Sequence, residues 1–110
     1  MEARAEARYV RVSAQKARLV VDLIRGCKAD LALNILRGTN KRIAPVVEKV
    51  LRSAIANAEN RGEVDVDKLM VSEAYVNEGP RAKRVRPAPM CRAYRYQRRS
   101  AHIVVKVAER

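Results

Sequence analysis

A run of 22 residues, 79–100, constrains this chain more than any other segment because it contains eight basic residues and no acidic residue. It carries +8 of a net charge of +12, so two-thirds of the excess charge lies in one-fifth of the 110 residues. Such a segment cannot enter an apolar core without burying unpaired charges. At the surface, its charge predicts a polyanionic partner, most often nucleic acid and less often an anionic membrane surface. The basic residues are Arg81, Lys83, Arg84, Arg86, Arg92, Arg95, Arg98 and Arg99.

Two predicted strands flank this run, at residues 69–77 and 101–108. Apolar side chains at every second position are typical of a half-buried strand. Consecutive strands most simply pair antiparallel, so the basic run connects two neighbouring strands of one sheet. The residues expected on the apolar faces are Leu69, Val71 and Tyr75 in the first strand and Ile103, Val105 and Val107 in the second.

The connection of 22 residues is too long for an ordinary hairpin loop. Either residues 79–100 are a disordered loop, or the strands continue outward as a long arm whose turn lies near Pro87 and Pro89. In an arm, each side has about ten residues and reaches ~30 Å. We call residues 79–100 the arm.

Strand parity predicts positive charge on both faces of the arm. Arg84 and Arg86 share one parity and Lys83 has the other. This arrangement suits insertion between polyanionic walls, and the interleaved Tyr94 and Tyr96 favour nucleic acid, since aromatic rings and guanidinium planes stack on bases. The alternative is a solvated basic face or a flexible tail. The arm residues predicted to bind RNA are the eight basic residues together with Tyr94 and Tyr96.

The sequence of residues 1–26 predicts a strand followed by a helix. Residues 1–12 alternate alanine with charged residues, which indicates a weak strand. A helix is predicted over residues 14–25, with Ser13 as its N-cap and Gly26 as its left-handed stop. The expected core faces are Ala3, Ala5, Ala7 and Tyr9 in the strand and Ala17, Val20, Val21 and Ile24 in the helix.

Two more helices are predicted before the flanking strands. A short helix over residues 31–37 is capped by Asp30 and presents Leu31, Ile35 and Leu36. A longer helix begins just before Pro45, because proline is tolerated only in a first turn. With no internal repeat, the chain predicts a single α+β domain spanning residues 1–110. The apolar stripe of the long helix is Ile43, Val46, Val47, Val50, Leu51, Ala54, Ile55 and Ala58, and Asn60 and Gly62 close it.

A second group of polar and basic residues surrounds the predicted helices of the body. Free amides at a helix N-terminus can bind phosphate, so this group is predicted to extend an RNA-binding surface over the body. Ordinary helix solubility is the alternative. The residues are Arg11, Ser13, Lys16, Arg18, Arg25, Lys28, Asn40, Lys41 and Arg42.

The remaining chemistry-bearing residues do not form a catalytic pattern. His102 has no partner at a Ser-His-Asp or Cys-His spacing and is interpreted as a strand residue at a polar edge. Glu63, Asp65 and Asp67 could hold a divalent metal for nuclease chemistry, but a solvated connector is the favoured interpretation. We therefore expect no enzymatic activity, no metal and no cofactor.

The cysteines and the apolar runs bear on cellular location. Cys27 and Cys91 lack metal-ligand spacing and predict free thiols in a reducing cytosol. No apolar run approaches the ~18 residues that span a bilayer, and the N-terminus does not resemble a secretory signal. We expect no membrane association.

Seven short motifs occur in order along nearly the whole chain: YVRVS at 9–13, KARLVVDLIRG at 16–26, SAIANA at 53–58, EGP at 78–80, KR at 83–84, RA at 92–93 and HI at 102–103. Together they resemble the L22 family of large-subunit ribosomal proteins. The resemblance implies a non-enzymatic α+β protein in which three helices pack on a small three-stranded antiparallel sheet and one long β-hairpin protrudes.

The resemblance also implies a place in the ribosome. The body would lie near the exit of the nascent-peptide tunnel, and the hairpin would penetrate 23S ribosomal RNA, aid its assembly and line the tunnel. The implied partners are 23S ribosomal RNA, neighbouring large-subunit proteins and the nascent peptide, with the protein a cytoplasmic monomer within the ribosome. A non-ribosomal RNA chaperone or regulator is the alternative.

Position by position, the resemblance assigns roles to residues of the arm. Cys91 stands where the family is expected to have glycine, which adopts a positive φ at little cost. Ala88 and Pro89 replace a more basic pair, which makes the tip less charged and stiffer. The implied RNA contacts are Lys83, Arg84, Arg92, Arg95 and Arg99, and the implied tunnel-lining tip is Arg86, Pro87, Ala88, Pro89, Met90 and Cys91.

Overall fold

The computed structural model describes residues 2–62 and 66–109, and within these ranges it shows five strands, three α-helices and two single turns of 3₁₀ helix. The two turns are Val66–Lys68 and Pro89–Cys91. The other elements are β1 (Glu2–Val10), α1 (Ala14–Ile24), α2 (Ala29–Gly38), α3 (Ala44–Asn60), β2 (Leu69–Glu78), β3 (Ala82–Ala88), β4 (Arg92–Arg98) and β5 (Ala101–Glu109).

The last strand of the chain lies at the centre of the main sheet. Strand β5 pairs antiparallel with β1 on one side and with β2 on the other. Strands β3 and β4 form a separate antiparallel ladder in the arm. The predicted α+β fold, with a three-stranded antiparallel sheet, three helices and a hairpin, is confirmed.

Small aliphatic side chains fill the space between the sheet and the helices. Helix α1 packs on β2, and α3 packs on β1 and β5. Because the chain has no Phe or Trp, Ile24, Leu51, Leu69 and Ile103 are among its largest fully buried side chains. The predicted core face of α1 is confirmed, and so are the buried positions on β5. Within residues 2–62 and 66–109, no helix is long and apolar enough to cross a membrane.

Strand β2 departs from the predicted alternation at one extra residue. Val71 pairs with Val107 and Glu73 with Lys106, so Ser72 is inserted into the ladder. Because side chains alternate with a period of two, the insertion transfers the buried positions to Ala74 and Val76. The prediction that Tyr75 shares a face with Leu69 and Val71 is therefore wrong.

Beside this bulge, Lys106 and Glu73 form an ion pair on the exposed side of the sheet. Lys106 Nζ lies 3.1 Å from a carboxylate oxygen of Glu73. The hydrogen bond to Glu73, together with its negative charge, raises the pKa of Lys106 above its ordinary value.

Helix α2 begins two residues earlier than predicted. Its N-cap is Lys28 rather than Asp30, which lies in the first turn, where a carboxylate is favourable beside the helix dipole. The buried face of the helix consists of Ala29, Ala32 and Leu36, at spacings of three and four, and Leu31 lies outside it and is exposed. The prediction of Leu31 on the core face is wrong.

Strand β1 also contains an irregularity, between Ala7 and Val10. Ala3 and Ala5 lie in the core as predicted, but Tyr9 is 64% exposed. Tyr9 lies within this irregularity and adopts a φ of 58°, in the left-handed region. The predicted burial of Tyr9 is therefore wrong.

Side chains from two helices cap the two edges of the main sheet. On the β2 edge, Arg18 donates two hydrogen bonds to the Val76 carbonyl, and Arg25 donates two to the Ala74 carbonyl. On the β1 edge, the Asn57 amide and the Arg61 guanidinium donate to the carbonyls of Arg4 and Glu2. Unpaired edge carbonyls invite pairing with another chain, so these contacts protect both edges of a short sheet.

Substitution of Leu51 by alanine should lower the free energy of unfolding by about 2–5 kcal/mol, because Leu51 is fully buried between α3 and the sheet. Urea unfolding followed by circular dichroism measures the change. Leu19→Ala is the matched control, because Leu19 is 60% exposed on α1 and its loss should change the free energy by less than about 0.5 kcal/mol. Equal losses in the two variants would contradict the assigned core.

Substitution of Arg25 by methionine should lower the free energy of unfolding by about 1 kcal/mol, because the Ala74 carbonyl loses both of its guanidinium donors. The apolar stem is kept, and the exposed ion pair with Asp22 that is also lost contributes little, so the change reports mainly on the hydrogen bonds. Lys28→Met is the control, since Lys28 is exposed and lies three residues away. If both variants unfold at the same urea concentration as the original protein, Arg25 does not hold the sheet edge.

Candidate nucleic-acid interface

The register of the arm sorts its side chains onto two chemically different faces. Residues directly opposite one another in an antiparallel ladder point to the same side. Arg84 pairs with Tyr96, and Arg86 pairs with Tyr94, whereas Val85 pairs with Arg95 on the other side. The aromatic face is defined by Arg84, Arg86, Arg92, Tyr94, Tyr96 and Arg98, and the opposite face by Lys83, Val85, Pro87, Ala93, Arg95 and Gln97.

Both faces carry positive charge, in agreement with the parity of the sequence, but the aromatic face carries more of it. On that face, the guanidinium carbons of Arg86 and Arg98 lie 5.0 Å and 5.5 Å from the centre of the Tyr96 ring. These cation–π contacts orient planar groups of the kind that stack on nucleic-acid bases. Tyr94 extends the same surface and is 64% exposed.

The cations of the arm are almost free of acidic partners. Arg81 pairs with Glu78 at 3.0 Å and also donates to the amide oxygen of Gln97. In the part of the chain that the structure describes, no other basic residue of the arm forms an ion pair. Seven positive charges of the arm therefore remain uncompensated, six of them on two short strands that pair only with each other.

The tip of the arm is a tight turn with two residues in the left-handed region. Met90 has a φ of 63° and Cys91 a φ of 57°. Glycine adopts such angles without strain, which explains in physical terms why a glycine was expected where Cys91 stands. Met90 is 88% exposed, and the prolines at 87 and 89 restrict the backbone on its N-terminal side.

The junction of the arm with the body is held by short contacts. The Gly79 amide donates to the Ser100 carbonyl at 2.9 Å, and the Ser100 hydroxyl donates to the Pro80 carbonyl at 2.7 Å. A Cβ atom added to Gly79 would lie 2.6 Å from the Ser100 hydroxyl and 3.3 Å from the ring of His102. The arm therefore leaves the body at a fixed point rather than from a loose loop.

The body residues predicted to bind RNA divide into three groups in the structure. Arg11 and Ser13 line a cleft together with residues at the base of the arm. Arg18 and Arg25 instead donate their hydrogen bonds to the β2 edge, and Arg25 also pairs with Asp22 at 2.8 Å. Their assignment to RNA binding stays a prediction, as it does for every residue named above. The remaining members, Lys16, Lys28, Asn40, Lys41 and Arg42, are exposed.

Of the residues considered for catalysis, His102 makes contacts with Tyr9 that hold the fold together. The Nδ1 atom of His102 accepts the backbone N–H of Tyr9 at 3.1 Å, and the two rings meet edge to face with their centres 5.0 Å apart. Of the acidic cluster, Glu63 and Asp65 lie outside the described residues. Among the residues that are described, no group of three or more His, Cys, Asp or Glu side chains is placed to hold a metal.

Sequence reasoning did not identify Tyr9 as a surface residue. The alternating pattern of β1 predicts burial, and the extra residue that exposes the ring leaves no separate signal in the sequence. The structure shows that Tyr9 lies beside Arg11, Arg81 and Arg99 at the base of the arm.

Comparison with known proteins identifies one family. The family model described as ribosomal protein L22p/L17e matches residues 5–108. A protein of Solibacter usitatus named large ribosomal subunit protein uL22 is 77% identical over the whole chain and 98% of its own length. Proteins of the same name from Oceanobacillus iheyensis and Koribacter versatilis are 53% and 52% identical over the whole chain, covering 97% and 69% of their own lengths.

Proposed function

Because the chain belongs to the ribosomal protein L22p/L17e family, we infer that it is a structural constituent of the large ribosomal subunit and that it binds 23S ribosomal RNA. The full-length similarity to proteins named as large-subunit components is the observation that carries this conclusion. As a large-subunit protein it is located in the cytoplasm, within the ribosome. The role is structural rather than enzymatic.

The arm is proposed to insert between segments of ribosomal RNA and hold them together. Two features of the described residues support insertion. Positive charge lies on both faces of the ladder, and seven of the eight basic side chains have no acidic partner. An isolated two-stranded ribbon is marginally stable in water, so contacts with RNA on both sides would also stabilise the arm itself. The arm thereby aids the assembly of the RNA around it.

The tip is proposed to form part of the wall of the nascent-peptide tunnel. The molecule is 65 Å along its longest axis, which allows a tip far from the body. Residues 86–91 carry a single cation, Arg86, and their exposed apolar atoms include the Met90 side chain. A wall of low charge would allow peptides of different sequence to pass, whereas a strongly basic wall would retain acidic ones. Neighbouring large-subunit proteins are the remaining proposed partners.

Association with the large subunit is tested by sedimentation of tagged protein with ribosomal particles from the producing cells. We expect stoichiometric co-sedimentation with large subunits after a wash in high salt, because a buried, multiply contacted arm dissociates slowly. A non-ribosomal RNA chaperone has the same charge but is expected to leave the particles during the wash. Recovery in the RNA-free fractions would contradict the proposed function.

Binding to 23S ribosomal RNA should weaken by about 10³–10⁵ between 50 and 200 mM salt if the protein makes roughly 6–10 phosphate contacts. The double variant Arg84→Gln, Arg92→Gln should reduce the slope of log affinity against log salt by about two, one for each lost phosphate contact. Filter binding at a series of salt concentrations measures both quantities.

The matched control for this experiment is Arg37→Gln, Arg52→Gln. It has the same net charge as the test variant, but both arginines bind Glu48 on the body. Its slope should equal that of the original protein. Equal slopes for the test and control variants would show that total charge, and not the arm, determines binding.

A further inference from the structure

A cleft of about 860 Å³ lies where the arm joins the body. One wall is formed by the end of β1 and the loop that leads into α1, and the other by the bases of β3 and β4. We call it the junction cleft. The residues of its lining that carry the argument are Tyr9, Arg11, Arg81, Arg84, Arg98 and Arg99.

The charges of the junction cleft are strongly unbalanced. Its lining contains five arginines and no acidic residue. Of these five arginines, Arg81 alone has an acidic partner within residues 2–62 and 66–109. That partner, Glu78, lies outside the lining. The other four arginines line the same concave space and form no ion pair within the described residues. Planar guanidinium forks in this arrangement match the oxygens of phosphate groups.

Tyr9 adds an aromatic surface to the same cleft. Its φ of 58° is unfavourable for a residue with a Cβ atom, and the surroundings hold it there through the hydrogen bond to His102. The edge-to-face contact with His102 fixes the ring, yet 64% of the residue stays exposed. Strained residues that the fold maintains are concentrated at binding sites.

The cleft is built before any ligand arrives. The two hydrogen bonds at the junction hold the arm wall beside the sheet, and the Tyr9 N–H, which donates to His102 Nδ1, ties the β1 wall to β5. Glycine at position 79 permits the close approach to Ser100, because a Cβ atom there would lie 2.6 Å from the Ser100 hydroxyl. A preformed site loses less conformational entropy on binding than a flexible one.

From these observations we propose that the junction cleft binds an unpaired nucleotide of RNA, with its base stacked on Tyr9 and its phosphates bound by Arg11, Arg98 and Arg99. The proposal rests on the RNA-binding function proposed above and adds a defined site to it. A base within a duplex has no free face for Tyr9, so single-stranded RNA is the expected ligand. Binding there would also fix the direction of the arm relative to the body.

The test uses the full chain and a single-stranded hexauridylate, with NMR amide signals of Tyr9, Arg11 and Arg99 as the readout. Tyr9→Leu should raise the dissociation constant measured from these signals by about fivefold to a hundredfold, because an aliphatic side chain cannot stack on a base. Tyr9→Phe should keep the original value. Tyr75→Leu is the control, because Tyr75 lies on β2 outside the lining of the cleft, and it should leave the value unchanged.

A second pair of variants tests the phosphate contacts. Arg11→Ala, Arg99→Ala should weaken hexauridylate binding at the cleft by at least about tenfold, whereas Arg37→Ala, Arg52→Ala removes the same charge elsewhere and should weaken it much less. A twelve-base-pair RNA duplex should shift the cleft signals less than the single strand does.

Several results would overturn the proposal. They are an unchanged dissociation constant for Tyr9→Leu, equal effects of the two arginine pairs, or a preference of the cleft for the duplex. If the protein binds 23S ribosomal RNA while hexauridylate leaves the cleft signals unmoved, the cleft proposal alone fails. If the protein binds no ribosomal RNA, the proposed function fails as well.

Discussion

The antiparallel pairing of β2 with β5 is the interaction on which the shape of the molecule depends. Because these neighbouring strands run in opposite directions, the chain leaves the sheet after Glu78 and returns beside the same point at Ala101. Everything between them must project as a hairpin from one place. The Gly79–Ser100 hydrogen bond closes this place, and the junction cleft forms beside it. A crossover connection would have distributed the same charges over the surface of the body.

The fold uses its arginines in two different ways. Arg18, Arg25 and Arg61 donate to carbonyls at the edges of the sheet and complete a three-stranded structure too small to protect its own edges. The arginines of the arm and of the junction cleft have almost no internal partners. Net charge alone does not separate these groups, since both consist of exposed or half-exposed side chains. The separation follows from which backbone carbonyls lie within reach of each side chain.

Much of the fold was predictable because strong local signals agree with one another. Ser13 caps α1 and Gly26 ends it with a positive φ, as their side-chain chemistry predicts. The candidate site was predictable as a basic arm, but its junction with the body was not. The errors at Tyr9 and Tyr75 have one physical cause. A single extra residue in a strand inverts every side chain beyond it, and neither insertion carries a glycine or proline that would mark it.

The order of the amino acids is sufficient to show that a segment with eight cations and no acid stays outside the core, and it predicts that the two flanking strands are neighbours. It also determined the family, because several motifs match in order along the chain. The packed fold was needed to show which arginines lack acidic partners and that Tyr9 lies at the base of the arm. The reason is that these properties depend on contacts between residues more than 50 positions apart, such as Arg18 with Val76 and Tyr9 with His102. Local pattern reports composition and periodicity, whereas distant contacts depend on the register of the ladders.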